Sequence, residues 1–148
     1  MKKPVGVYFI ILIVLFVSIS AIFGGFSLIK DPTGNLIQFP NNYLKNTFFG
    51  NYLIPGLILF LVLGIFPLFL VYGLIKKDSL KFLEFFNIYN DLRWQFSFTI
   101  YYGIVLIIWI DVQIMLVPYI ILQPIISGIG IIILALSLSK EFRRYYLK

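Results

Sequence analysis

The sequence contains no cysteine and no histidine. Without cysteine, neither a disulfide framework nor thiol redox chemistry is available. Without histidine, imidazole ligation of a metal or haem and histidine acid–base chemistry are excluded. The chain also lacks a phosphate-binding glycine loop and the hydrolase motifs GxSxG and HExxH. We therefore expect a protein that is not an enzyme and that needs no cofactor.

Charge is scarce as well, and apolar residues fill its place. Only 12% of the 148 residues are charged, whereas 61% are hydrophobic and the mean hydropathy is +1.00. A soluble domain is typically about half apolar. The excess lies in long blocks, which is typical of membrane spans. The sequence predicts one all-α membrane domain over residues 1–148, a four-transmembrane-helix bundle with spans at about 5–26, 52–75, 96–117 and 121–139.

Two of these spans need a specific argument. The first apolar block follows Lys2 and Lys3 but runs well beyond the ~7–15 residues of a signal-peptide core, so we interpret it as an uncleaved helix. Residues 96–139 carry a single charge and are too long for one span. Pro118 and Pro124 bracket the predicted tight turn between the last two helices. Within the second span, Pro67 predicts a kink.

The positive charges predict how the chain sits in the membrane. The net charge is +6, yet ten of the twelve lysines and arginines fall in the amino tail, the middle loop and the carboxyl tail. Only Lys30 and Lys45 lie in the first loop. By the positive-inside rule this bias places both termini in the cytoplasm of a multi-pass cytoplasmic-membrane protein. We interpret the charges as topology signals and expect no nucleic-acid partner.

The first loop, between the first two spans, is predicted to lie outside the cytoplasm. Asp31, Pro32 and Gly34 occupy the first, second and fourth positions of a predicted type I turn. The flanking segments 27–30 and 35–39 are strand-compatible, so the loop predicts a short β-hairpin. Its role is either a connector or a partner surface, and connectors are the commoner case.

The middle loop predicts a second feature, an amphipathic helix in the inner interface. Five apolar side chains between Lys81 and Arg93 recur with helical spacing, at Phe82, Phe85, Phe86, Tyr89 and Leu92. The helix either links spans two and three or docks a cytoplasmic partner. The basic, aromatic tail 140–148 is interpreted as an anchor for the last helix.

Three polar residues of the last two spans form the candidate intramembrane site. Asp111 is the one carboxylate in a span, about 22 Å along the helix from Phe96, and is predicted in the outer half. A carboxylate in lipid is costly and marks a functional candidate, or a protonated group bonded within the bundle. Gln113 lies two residues away and points to a different side of the helix. Gln123 is predicted near the turn.

Three stretches carry a resemblance to a known family. They are Gly24-Gly25 followed after five residues by Asp31-Pro32-Thr33-Gly34, then residues 49–57, and then residues 109–113 with 122–124. Over nearly the whole chain the sequence resembles a family of uncharacterised bacterial four-helix integral membrane proteins. The resemblance implies the four-helix architecture and no particular activity. That family commonly has an apolar residue where this chain has Asp111.

Two hypotheses for function remain open. The first is a structural or interaction component of the cytoplasmic membrane, because few polar residues lie in the spans and two loops offer partner surfaces. The second is a small oligomeric transporter or channel component that uses Asp111. Both predict the lipid bilayer as a partner, together with a second copy of the chain or another membrane protein. The sparse polar residues favour the first hypothesis.

Overall fold

The computed structural model describes residues 2–39, 41–45 and 47–148, with backbone only at 41, 42 and 116. This part of the chain is helical and contains no strand. Its helices are α1 (Val5–Lys30), α2 (Leu53–Ile58), α3 (Phe66–Lys76), α4 (Lys81–Phe85), α5 (Trp94–Leu116), α6 (Leu122–Ser137) and α7 (Lys140–Tyr145). A π-helical segment, Leu59–Ile65, joins α2 to α3, and the first loop contains 3₁₀ turns at Asn35–Ile37 and Asn41–Leu44.

Three helices are long and apolar enough to cross a membrane. They are Val5–Lys30, Leu53–Lys76 and Trp94–Met115. The predicted all-α membrane class is therefore confirmed for the described residues. Helix α6 is apolar but has 16 residues, about 24 Å at 1.5 Å per residue. That is short of a hydrocarbon core of about 30 Å, so the fourth span at 121–139 stays a prediction.

The second span contains a π-helical segment just before Pro67. Proline has no N–H for the carbonyl four residues back, and its ring crowds that carbonyl. The segment Leu59–Ile65 ends immediately before α3, in which Pro67 is the second residue. The wider π turns accommodate the proline while Leu53–Lys76 continues as one span.

Glycines let the helices pack at backbone distance. A Cβ added to Gly25 of α1 would lie 2.6 Å from the backbone nitrogen of Phe60 and 2.8 Å from the carbonyl oxygen of Gly56. In the α5–α6 pair, a Cβ on Gly103 would lie 3.1 Å from the carbonyl oxygen of Gly130. Small residues that permit such approach are the usual basis of helix packing in membranes. Gly128 of α6 makes no such contact and faces open space.

The bundle consists of two antiparallel helix pairs, α1 with the second span and α5 with α6. The pairs meet where α1 contacts α6 and where α3 contacts α5. Buried aliphatic side chains from α1, α3, α5 and α6 fill the centre, including Val7, Ile10, Leu74, Leu106 and Ile133. Lys3, α3, α5 and the carboxyl tail converge at one end, here called the terminal end. The opposite end, which contains the first loop and the α5–α6 turn, is called the loop end.

The predicted β-hairpin in the first loop is wrong. Residues 27–30 form the last turn of α1, where the Ser27 hydroxyl donates to the Phe23 carbonyl at 2.8 Å. The second flank, 35–39, begins as a 3₁₀ turn at Asn35–Ile37 and continues through Gln38, whose φ is 57°. Neither conformation belongs to an extended strand. The loop therefore folds as turns and 3₁₀ segments.

The predicted amphipathic helix of the middle loop is shorter than expected. Helix α4 covers only Lys81–Phe85. Asn87 ends it, because its side chain accepts from the Tyr89 N–H at 3.2 Å and donates to the Leu92 carbonyl at 2.6 Å. Such local bonds compete with the helical ladder. As a result Phe82 faces outward, whereas Leu92 is fully buried at the terminal end.

Candidate functional site

Asp111 lies on the outer surface of α5, facing away from the bundle. It shares one side of the helix with Ile104, Ile108 and Met115, which recur at helical spacing and are all exposed. We call these four residues the Asp111 stripe. Asp111 precedes the end of α5 by five residues, about 7 Å, so it lies near the loop end. Within the described part of the chain, its carboxylate has no hydrogen-bond or ion-pair partner.

The structure does not bring Gln113 and Gln123 together with Asp111. Gln123 is fully buried at the start of α6, where its Oε1 accepts from the Ile120 N–H at 3.1 Å. Its backbone N–H donates to the Ile120 carbonyl at 3.0 Å. Gln123 therefore closes the α5–α6 turn, and its Nε2 is buried without a partner among the described residues. Gln113 is half-buried on α5.

This arrangement limits the chemistry of the intramembrane site. A proton relay needs several ionisable or polar groups in sequence, whereas Asp111 points outward and Gln123 inward. Among the residues that the structure describes, no group of three metal-ligating acidic side chains occurs. What Asp111 can do is accept hydrogen bonds from, or pair with, a group outside this chain.

The loop-end turn is built around Asp31. Its Oδ1 accepts from the backbone N–H and the hydroxyl of Thr33, and its Oδ2 accepts from the Leu36 N–H at 2.9 Å. The Gly34 N–H donates to the Asp31 carbonyl at 3.0 Å, and the Tyr52 N–H donates to the Pro32 carbonyl at 2.9 Å. The bonds from Thr33 are the main reason that the pKa of Asp31 lies below its ordinary value. Asp31 thus has a structural explanation.

Gly34 is required at its position in this turn. Its φ of 81° favours glycine, and a Cβ there would lie 2.8 Å from the Tyr52 ring and 2.9 Å from the Phe39 carbonyl oxygen. The Tyr52 ring packs on that of Phe39 with centroids 5.8 Å apart. The turn is therefore fastened to the start of the second span.

At the terminal end, side chains converge on the carboxyl end of α3. The last carbonyls of a helix have no partner within the helix and carry partial negative charge. Here side chains from three distant segments donate to carbonyls of the last turn of α3 and of the two residues after it. The bonds are Gln95 to Gly73 (3.4 Å) and Asp78 (2.7 Å), Trp94 to Asp78 (2.9 Å), Tyr146 to Leu74 (3.1 Å), Lys3 to Ile75 (3.2 Å) and Arg93 to Lys77 (3.4 Å). We call this set the α3 junction.

The carboxyl tail is part of this junction. Leu92 and Leu147 form an antiparallel bridge, the Arg93 N–H donates to the Tyr146 carbonyl at 2.9 Å, and the Lys148 N–H donates to the Asp91 carbonyl at 3.0 Å. Tyr146 is fully buried, and burial holds the pKa of its phenol well above the ordinary value. The phenol therefore remains a donor. The tail is therefore a packed element of the terminal end.

Glu84 connects α4 to the same junction. Its carboxylate pairs with the Lys148 ammonium at 3.0 Å and accepts from the Asn87 amide at 3.0 Å and the Trp94 N–H at 3.3 Å. Burial raises the pKa of Glu84, but the bonds from Asn87, Lys148 and Trp94 outweigh it, and the pKa lies below its usual range. Sequence reasoning missed this junction because most of its acceptors are backbone carbonyls, which no residue pattern marks.

The fold and these sites define a helical membrane protein with an outward carboxylate and a tightly bonded terminal end. No protein-family model, curated protein or solved structure matches this chain.

Proposed function

We propose that this chain is a non-enzymatic interaction component of the cytoplasmic membrane that binds another membrane protein through the Asp111 stripe. The observation that carries the proposal is the outward position of Asp111 on an exposed apolar side of α5. A carboxylate facing lipid is costly, and a partner that supplies a cation or a hydrogen-bond donor removes that cost. Interhelical bonds of this kind hold membrane helices together.

A transport role would need a different placement. Carboxylates of transport pathways face the bundle interior or a water-filled cavity. Asp111 faces outward, and the buried Gln123 already bonds to the Ile120 backbone. These two positions favour the interaction role over the small transporter that the sequence also suggests.

The proposal includes four spans with both termini in the cytoplasm. Helix α5 begins at the terminal end, and the tail that follows α6 bonds to Leu74 and Leu92 at that same end. This return of the tail to the terminal end supports α6, with its flanking residues, as the fourth span. Ten of the twelve lysines and arginines lie in segments at the terminal end, which supports a cytoplasmic location for that end.

Photocrosslinking in native membranes tests the proposal. The photoreactive residue p-benzoylphenylalanine would replace Ile108 or Met115 in the stripe, and Ile132, exposed on α6, as the control. We expect a crosslinked species of higher mass from the two stripe positions and not from position 132. Asp111→Leu should reduce its yield several-fold, and Asp111→Asn should reduce it less because the amide still forms hydrogen bonds.

Two results would contradict the interaction role. One is an equal pattern of crosslinks at positions 108, 115 and 132. The other comes from thiol labelling, which is specific here because the chain has no native cysteine. If a membrane-impermeant thiol reagent labels Ile108→Cys and the photocrosslinking experiment gives no crosslinks, water reaches the stripe and transport is favoured.

A further inference from the structure

An aromatic groove lies between α3, α4 and α5. Its volume is about 510 Å³, and its lining residues are Phe66, Phe82, Leu83, Phe86, Phe98 and Tyr101. The one side-chain polar atom among them, the Tyr101 hydroxyl, already donates to the Phe86 carbonyl at 3.1 Å. The groove therefore presents a lining that suits an apolar ligand.

Along α3, the lining residue Phe66 lies about one bilayer leaflet away from the end of the helix. Phe66 lies ten residues before Lys76, which ends α3, and this separation is about 15 Å along the helix. A hydrocarbon core of about 30 Å gives each leaflet about 15 Å. At the terminal end of the groove are Phe82 and Phe86, the first of which is 74% exposed. With the end of α3 at the membrane interface, Phe66 therefore lies at about mid-bilayer.

The volume argues against a partner helix. One turn of a helix about 10 Å wide and 5.4 Å long already occupies roughly 400 Å³. The groove accommodates little more than one such turn, and this small volume suits a single extended hydrocarbon chain better than a helix. Both α3 and α5 belong to membrane-spanning helices, which places the groove beside lipid chains.

The charges at the end of α3 and the start of α4 favour an acidic headgroup. Lys76 and Lys81 are exposed and have no hydrogen bond or ion pair among the described residues. Of the two acids nearby, Glu84 pairs with Lys148, and Asp78 is outnumbered by the three lysines of residues 76–81. We propose that the groove binds one acyl chain of an anionic phospholipid, with its phosphate against Lys76 and Lys81. Such basic sites at the membrane surface attract anionic headgroups.

Native mass spectrometry of the full-length protein in a mild detergent tests the groove. The probe is an equal mixture of phosphatidylglycerol and phosphatidylcholine with identical acyl chains. We expect one retained lipid, with phosphatidylglycerol preferred several-fold. The double variant Phe82→Ala/Phe86→Ala should bind at least about tenfold less lipid because two walls are lost. Phe85→Ala is the matched control, since Phe85 lies on α4 and is 83% exposed but does not line the groove.

The headgroup has its own variant pair. Lys81→Gln should reduce the preference for phosphatidylglycerol while phosphatidylcholine still binds, and Lys140→Gln, exposed on α7, should change nothing. Circular dichroism checks that each variant keeps its helix content. Equal lipid binding by the double variant and Phe85→Ala would overturn the proposal, as would equal retention of the two lipids. The proposal would also be overturned if the wild-type protein and Phe85→Ala formed a dimer without lipid and the double variant did not. A second copy of the chain would then fill the groove.

Discussion

Tyr146 donates a hydrogen bond to the carbonyl oxygen of Leu74 at 3.1 Å, although 72 residues separate them in the chain. Both residues are completely buried. Leu74 lies in the last turn of α3, where helical carbonyls need partners from outside the helix. The carboxyl tail therefore completes the second span and joins the end of the chain to its middle.

Removing this bond should destabilise the whole bundle. In Tyr146→Phe the ring still fills its space, but the Leu74 carbonyl loses its donor, so we expect a loss of about 1–2 kcal/mol in the free energy of unfolding. Tyr145→Phe is the control, because the Tyr145 hydroxyl has no partner among the described residues. The ring itself, whose centroid lies 4.3 Å from Lys77 Nζ, is kept in this variant. Denaturant titration of the purified proteins, followed by circular dichroism, measures both. Equal losses in the two variants would contradict a specific role for the Tyr146 hydroxyl.

The same phenol predicts a weakness at alkaline pH. Burial raises the pKa of Tyr146 in the folded state above its ordinary value of 10.0. The unfolded chain therefore releases this proton first, and the stabilisation that is complete below pH 10 is lost as the pH rises above it. We expect the wild-type protein to lose more stability between pH 9 and 11 than Tyr146→Phe does. Parallel curves for the two proteins would exclude this phenol as the cause.

The sequence predicted the long helices well, because apolar runs in lipid have one economical solution. Every backbone group in the hydrocarbon must be bonded internally, and a helix does this with local bonds alone. The same rule explains the error at residues 27–30, whose strand-compatible side chains continue α1 as a last helical turn. Local propensity indicated a strand there, and the need to satisfy the backbone gave a helix.

The candidate site was less predictable, for a different reason. The pattern identified Asp111 as the one carboxylate in a span, but it could not tell which side of α5 packs against α6. That choice depends on the contact of Gly103 with Gly130, and close glycine contacts arise only when two helices meet. Likewise, Trp94 and Gln95 bond to the backbone carbonyl of Asp78, whose side chain plays no part in those bonds.

Glu84 predicts a second pH effect, at the acid side. Burial raises its pKa, but hydrogen bonds from Asn87, Lys148 and the Trp94 backbone lower the pKa by more than burial raises it. The pKa in the folded state therefore lies below the ordinary 4.5. The unfolded chain binds this proton more readily, so the stabilisation present above pH 4.5 is lost as the pH falls. We expect Glu84→Gln to flatten the decline of unfolding free energy between about pH 5 and 3. Glu141→Gln, on the exposed side of α7, should leave the decline unchanged, and an equal flattening there would refute the assignment.

The contact between α1 and the second span gives the sharpest test of packing. A methyl group at Gly25 would lie 2.6 Å from the Phe60 backbone nitrogen and 2.8 Å from the Gly56 carbonyl oxygen. Backbone atoms cannot move aside as a flexible side chain can, so Gly25→Ala must push the two spans apart. We expect it to lower the free energy of unfolding by about 1–3 kcal/mol.

Gly128→Ala on α6 makes the same change where no atom lies within 4 Å, and there the better helix propensity of alanine should raise stability by up to about 1 kcal/mol. Opposite signs for the two substitutions in one denaturant titration are the expected result, and a neutral Gly25→Ala would mean that α1 and the second span do not approach at Gly25.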